Sequence, residues 1–262
     1  MAENSHIQWT DSTWNVATGC TKVSDGCLNC YISTTPPFRM AGRKFDRPGI
    51  GGATDLQLHP ERLEWPLRWR KPRRIFVNSL SDLFHARVPR EFIAQAWEVM
   101  ERTPQHTYQV LTKRPERLAR VLDGLPLLPN VWLGTSIESD QYVRRADALR
   151  AAPAAVRFIS AEPLIGAPWS LDLTGIDWLI AGGESGPKAR PMELDWVRFL
   201  LELCEDSGTA PFVKQLGSVW ASGLGADKKG GAWSFWPEDL RVRQYPAGSN
   251  RTLGFEPAEG SW

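Results

Sequence analysis

From residue 74 onward the chain alternates short apolar runs, polar clusters and helical stretches, and this alternation constrains the fold more than any other feature. The runs are Arg74 to Ser79 (RIFVNS), Tyr108 to Thr112 (YQVLT), Val131 to Thr135 (VWLGT), Val156 to Ser160 (VRFIS), Trp178 to Gly182 (WLIAG) and Pro211 to Lys214 (PFVK). Each is apolar at most positions and rich in Val, Ile, Phe or Trp, which suits strands covered on both faces of a parallel sheet. Between them, Pro89 to Arg102 carries Phe92, Ile93, Ala96, Trp97 and Met100 at helical spacing, and Glu193 to Glu205 carries Val197, Leu200, Leu201 and Cys204 likewise. Asp140 to Ala152, rich in Ala and Arg, is also predicted helical. Parallel strands joined through helices imply right-handed crossovers. Six such strands and an N-terminal one predict an α/β fold, a TIM-like parallel βα barrel that is closed or partial.

A chain of 262 residues suits one such barrel, and no shift in composition interrupts it before residue 217. Residues 1–217 are therefore expected to form the barrel. Residues 218–262, rich in Gly and Trp and without a clear period, are expected to be an irregular tail packed on it through Trp220, Trp233 and Trp236.

The 31 Lys and Arg balance 30 Asp and Glu, which excludes a uniformly basic nucleic-acid coat while leaving local patches open. Hydrophobic residues at 42% and charged residues at 23% exclude wholesale disorder. No run approaches the roughly 20 apolar residues of a spanning helix, and Met1 to Trp9 has no signal-peptide pattern, so no membrane association and a cytoplasmic location are expected. Thiols stay reduced there, and clustered cysteines read as ligands rather than disulfides.

Cys20, Cys27 and Cys30 lie within GCTKVSDGCLNCY, a loop-like string in which packing is a poor explanation for three thiols. They are candidate ligands of one soft metal centre. A structural zinc would need a fourth ligand such as His85 or His6, whereas a four-iron cluster on three thiolates would leave one iron open. Cys204 completes an apolar helical stripe and reads as a core residue.

In parallel α/β folds chemistry gathers beyond the C-terminal strand ends. Here those positions hold Asn78, Ser79, Asp82 and His85; then Thr112, Lys113 and Arg114; Thr135, Ser136 and Glu138; Ser160 and Glu162; Gly182, Gly183 and Glu184; and finally Lys214 and Gln215. Six polar clusters on one side predict a lined cavity. A second basic region, EWPLRWRKPRR from Glu64 to Arg74, interleaves five cations with Trp65 and Trp69 and suggests nucleic-acid contact. Because it precedes a strand, it is expected at the N-terminal rim, opposite that cavity.

The ordered motifs WTDSTWN (Trp9 to Asn15), the three-cysteine loop, IFVNSLSDLFH (Ile75 to His85), LTKRP (Leu111 to Pro115), LGTSIES (Leu133 to Ser139), FISAEPLIG (Phe158 to Gly166), GGESG (Gly182 to Gly186) and VKQLG (Val213 to Gly217) resemble the phage-associated three-Cys-motif family. That family in turn resembles radical S-adenosylmethionine (SAM) enzymes, with a three-cysteine loop after the first strand of a partial TIM barrel. This loop spaces its cysteines by six and two residues, where those enzymes usually have three and two.

The resemblance implies a [4Fe-4S] cluster on Cys20, Cys27 and Cys30, with S-adenosyl-L-methionine on the fourth iron. Asn78, Ser79 and Asp82 would then meet its amino group, and Thr135, Ser136 or Glu138 its ribose. Lys113, Glu162, Glu184 and Lys214 would meet the substrate as catalytic residues. The implied function is a radical SAM-like iron-sulfur enzyme with an external electron donor. Phage association favours a nucleic acid or nucleotide as substrate. The alternative is a non-catalytic module, stabilised by zinc or a cluster, that binds nucleic acid.

Overall fold

The computed structural model describes residues 4–247. Strands β1 (Ser12–Trp14), β2 (Ala17–Thr18), β3 (Gln57–Leu58), β4 (Arg74–Val77), β5 (Thr107–Thr112), β6 (Val131–Ser136), β7 (Val156–Ala161), β8 (Trp178–Gly182) and β9 (Ala210–Gln215) follow in chain order. Helices α1 (Pro36–Met40), α2 (Arg90–Glu101), α3 (Leu118–Leu122), α4 (Arg145–Arg150), α5 (Leu194–Ser207) and α6 (Ser218–Leu224) lie between or after them. Seven strands form one sheet in the order β1-β4-β5-β6-β7-β8-β9, every neighbouring pair parallel. Strands β2 and β3 form a separate antiparallel pair that brackets the segment carrying the cysteines.

Alternation along the strands divides the sheet into two faces. Ile75, Val77, Tyr108, Val110, Leu133, Ile159, Leu179 and Val213 pack with α2 and α5 in the main core. The opposite set, Phe76, Trp132, Phe158, Trp178, Ile180 and Phe212, forms a second, aromatic cluster inside the curl of the sheet. Trp9, just ahead of β1, reaches this cluster, its ring 6.2 Å from that of Trp178 on β8. The sheet is therefore a curled half-barrel lined on one face by aromatic rings. Gly134 on β6 makes room for one of them, since a Cβ there would fall 2.4 Å from the Phe158 ring.

The edge of β9 is covered by the chain itself. Val213 N donates to Val242 O and Gln244 N to Pro211 O, both at 2.8 Å, and this pairing blocks an edge that would otherwise template association. Within residues 218–247, Trp236 is buried and donates from Nε1 to Gly230 O, Trp220 is partly buried against the main core, and Trp233 is exposed. The remainder of the tail, residues 248–262, lies outside the described residues. No helix among the described residues is long and apolar enough to cross a membrane.

Candidate functional site

The interior face changes character towards the C-terminal ends of the strands. Beyond the aromatic layer come Lys113 after β5, Glu162 after β7 and Lys214 on β9, with Glu138 after β6 and Glu184 after β8. The loop from Gly19 to Tyr31 crosses this mouth and is fastened to it at four strand ends.

The first fastening is at β6. Ser24 Oγ donates to Glu138 Oε1 at 2.6 Å and lies 3.5 Å from Cys27 Sγ. Gly26 packs directly on the same carboxylate, for a Cβ there would fall 2.5 Å from Glu138 Cγ. Glu138 is fully buried and also pairs with Lys113 Nζ, while Arg145 Nη1 donates to its Oε2 at 2.8 Å. Burial opposes the charge on Glu138, but Lys113 and Arg145 outweigh it and hold the carboxyl below its ordinary range.

The second fastening is at β8, where Asn29 Nδ2 donates to Glu184 Oε2 at 3.1 Å and to Lys188 O at 2.7 Å. Arg190 grips both oxygens of Glu184, from Nε at 2.9 Å and Nη2 at 2.6 Å. Burial of Glu184 is again outweighed, and its carboxyl is held low. The third fastening is at β4, where Tyr31 OH donates to Ser79 O at 2.6 Å.

The fourth is at β5. Arg114 donates from Nη1 to Asp82 Oδ2 at 2.7 Å and from Nη2 to Thr21 O at 2.8 Å, and both terminal nitrogens stand 3.9 Å from Cys20 Sγ. Asp82 also accepts from Thr112 Oγ1, Lys113 N and Phe84 N.

Several residues predicted to line an open cavity are thus occupied in holding the loop. Asp82 and Glu138 are saturated by protein donors, and Glu184 faces Asn29 and Arg190. Ser79 exchanges hydrogen bonds with the Asn15 side chain. Thr135 lies between Leu133 and Ile137 of the main core and donates to Thr112 O at 3.0 Å, so it faces the helix layer and stands apart from the group. Ser136 is buried at the mouth, its carbonyl accepting from Arg145. Lys214 and Glu162 pair with each other and make no hydrogen bond to the loop. Asn78, in the left-handed region at φ 60°, accepts from Ala17 N at its Oδ1, and its buried Nδ2 has no hydrogen-bond partner among the described residues.

Three residues that matter here were not singled out from the sequence. Ser24, Asn29 and Arg145 each bind a strand-end carboxylate, and only the polar richness of the loop hinted at the first two. Of the histidines considered as a fourth ligand, His85 is engaged at both nitrogens, accepting from Arg87 N and bonded to Thr21 Oγ1. Burial and Arg114 push its pKa down to about 4. His6 is exposed near the N-terminal end of the sheet, beside Ser5, whose N donates to Asp11 O. Cys204 is buried in α5 with its pKa pushed up to about 12 by burial, a core residue. The basic-aromatic stretch runs into the start of β4, at the N-terminal rim, with Arg68, Arg70 and Lys71 exposed.

The three thiols are free, and Cys20 and Cys30 feel the charge of their neighbours in the loop. Burial pushes the Cys20 pKa up to about 12, against the pull of Arg114, and raises that of Cys30 against the pull of Lys113 and Lys22. Among the described residues no group of three or more His, Cys, Asp or Glu side chains is already arranged to hold a metal ion. The donor chemistry nevertheless fits a thiolate-bound centre. Lys22 is buried, with its ammonium held among the described residues by Leu28 O at 2.9 Å, Pro48 O at 2.8 Å and the Phe45 ring, and its field acts on Cys30. A buried cation without a carboxylate is costly unless an anion stands nearby, and thiolates bound to a metal would supply that anion.

Residues 4–240 match the family described as "Protein of unknown function (DUF5131)", and the chain belongs to that family. No curated protein matches it. Among solved structures it is similar to a mutant of spore photoproduct lyase, with a TM-score of 0.54 and 14% sequence identity over 82% of this chain and 78% of that one. At that identity the likeness shows the fold: a partial, TIM-like α/β barrel.

Proposed function

We propose that the protein is a radical SAM-like iron-sulfur enzyme whose cluster is held by Cys20, Cys27 and Cys30. The observation that carries this reading is the fastening of a three-thiol loop, with no cysteine partner beyond those three, across the C-terminal mouth of a parallel half-barrel. A four-iron cluster on three thiolates would leave one iron open for S-adenosyl-L-methionine and supply the electron that cleaves it reductively.

The chain's own residues divide the remaining work. Glu138, Glu184, Ser79 and Arg114 fasten the loop over the barrel mouth, where its three thiols would serve as the ligands. Asn78 offers a buried donor rather than an acceptor, so its natural partner is a carboxylate or a sulfide and not an ammonium group. Lys214 and Glu162, partly exposed at the mouth and not tied to the loop by hydrogen bonds, are the groups best suited to meet a substrate. Ser136 and Lys113 border the same space.

The resemblance to phage-associated proteins favours a nucleic acid or nucleotide as substrate, and an external electron donor is required. Residues 1–217 form the catalytic unit in this reading, with 218–262 as an accessory tail. Anaerobic purification followed by iron and sulfide analysis tests the proposal. About four of each per chain is the expected result, and colourless protein with tightly bound zinc would contradict it.

A further inference from the structure

We propose that Arg114 sets the reduction potential of the centre held by the cysteine loop, as a fixed positive charge beside Cys20 that Asp82 positions. This rests on the function proposed above but concerns a residue that no ligand requirement identifies. Arg114 is 7% exposed, and its guanidinium is oriented from two sides, by Asp82 Oδ2 and by Thr21 O. Those two bonds leave both terminal nitrogens 3.9 Å from Cys20 Sγ.

Asp82 in turn is fixed by the Thr112 hydroxyl and by Lys113 N and Phe84 N, so the cation has little freedom to swing away. Its terminal nitrogens reach the sulfur directly, whereas Asp82 makes no hydrogen bond to Cys20. Arg114 accordingly acts more strongly on Cys20 than Asp82 does. Arginine is suited to this position, because its charge is permanent and its planar fork can engage carboxylate, carbonyl and sulfur together.

One-electron reduction adds negative charge to a thiolate-bound centre. A cation at hydrogen-bonding range, in a site shielded from water, stabilises the reduced form over the oxidised form. Arg114 should therefore raise the midpoint potential and bring the centre within reach of a weaker reductant. It is a positioning residue, acting through Cys20 without touching substrate.

The test is a potentiometric titration of the reconstituted full-length protein with dithionite as reductant, followed by electron paramagnetic resonance. R114Q should shift the reduction equilibrium at least tenfold against the reduced state, about 59 mV for a one-electron couple. R114K, which keeps the charge, should stay within about threefold of the wild type, about 28 mV on the same scale. An iron-loaded R114Q with the wild-type potential overturns the inference. If R114Q takes up no iron, R114K decides: loading with a near-wild-type potential supports a charge effect, and a tenfold shift or failure to load shows that the residue is scaffold alone. Failure of the wild type itself to bind iron would instead overturn the proposed function.

Discussion

Ser24 Oγ donates to Glu138 Oε1 at 2.6 Å, joining two residues 114 positions apart and tying the cysteine loop to the end of β6. Glu138 is the hub of that junction, because Lys113 and Arg145 meet the same carboxylate. E138Q would leave both cations buried or half-buried without a counter-charge. Loss of one partner from such a group costs about 3–5 kcal/mol. The loss should appear in denaturant unfolding at neutral pH.

The same carboxylate gives a pH signature. Its pKa is held below the ordinary 4.5, so its contribution to stability is complete above about 4.5 and is lost as pH falls through the folded value. E138Q should flatten this acid limb relative to the wild type. Parallel acid limbs in the two proteins would contradict the assignment.

Gly26 packs on Glu138 so closely that any side chain displaces the loop. G26A should cost about 1–3 kcal/mol and lower iron content severalfold after reconstitution. Gly49 in the same segment has open space around it, and G49A should load iron like the wild type. Equal iron content in G26A and wild type would argue against close docking.

Inside the half-barrel, Gly134 and Phe158 form a matched pair. G134A drives a methyl into the ring and should destabilise by about 1–3 kcal/mol, whereas the added cost should shrink in an F158L background. Additive losses in the double-mutant cycle would contradict the contact.

His85 provides a local probe of the mouth. With its pKa pushed down to about 4, it should remain neutral at pH 6, where an ordinary histidine near 6.5 is largely protonated. Because the unfolded chain takes up that proton first, the associated stability is complete above about 6.5 and declines as pH falls towards 4. Nitrogen-15 NMR of the ring should show the neutral form through pH 6. A midpoint near 6.5 would contradict the buried arrangement.

The strands were the most legible part of the sequence. WLIAG coincides with β8, and the other five runs fall within about two residues of β4, β5, β6, β7 and β9. Buried parallel strands announce themselves through continuous Val, Ile, Phe and Trp. Helices α2 and α5 were legible from their apolar stripes, whereas Asp140 to Ala152 shortens to a single turn and α4, since Ala and Arg alone carry no period. The short helices α1, α3 and α6 gave no usable pattern.

The candidate site was legible as an inventory but not as a set of pairings. Polar residues at the strand ends were evident, and so were three clustered thiols. That Glu138, Asp82 and Glu184 would be engaged by Ser24, Arg114 and Asn29 depends on which distant groups the curl of the sheet brings together. Residue type carries no record of such partners. Thr135 illustrates the same limit: its face is decided by alternation from Leu133 to Ile137, which placed it towards the helices.

The central claim is an iron-sulfur centre on Cys20, Cys27 and Cys30 with an open position. It is tested most directly by electron paramagnetic resonance of the anaerobically reconstituted, dithionite-reduced protein, recorded with and without S-adenosyl-L-methionine. The account predicts a reduced-cluster signal that changes when the compound is added and is lost when any of the three cysteines is replaced by alanine. A protein that takes up no iron, or a cluster signal unaltered by S-adenosyl-L-methionine, would contradict it.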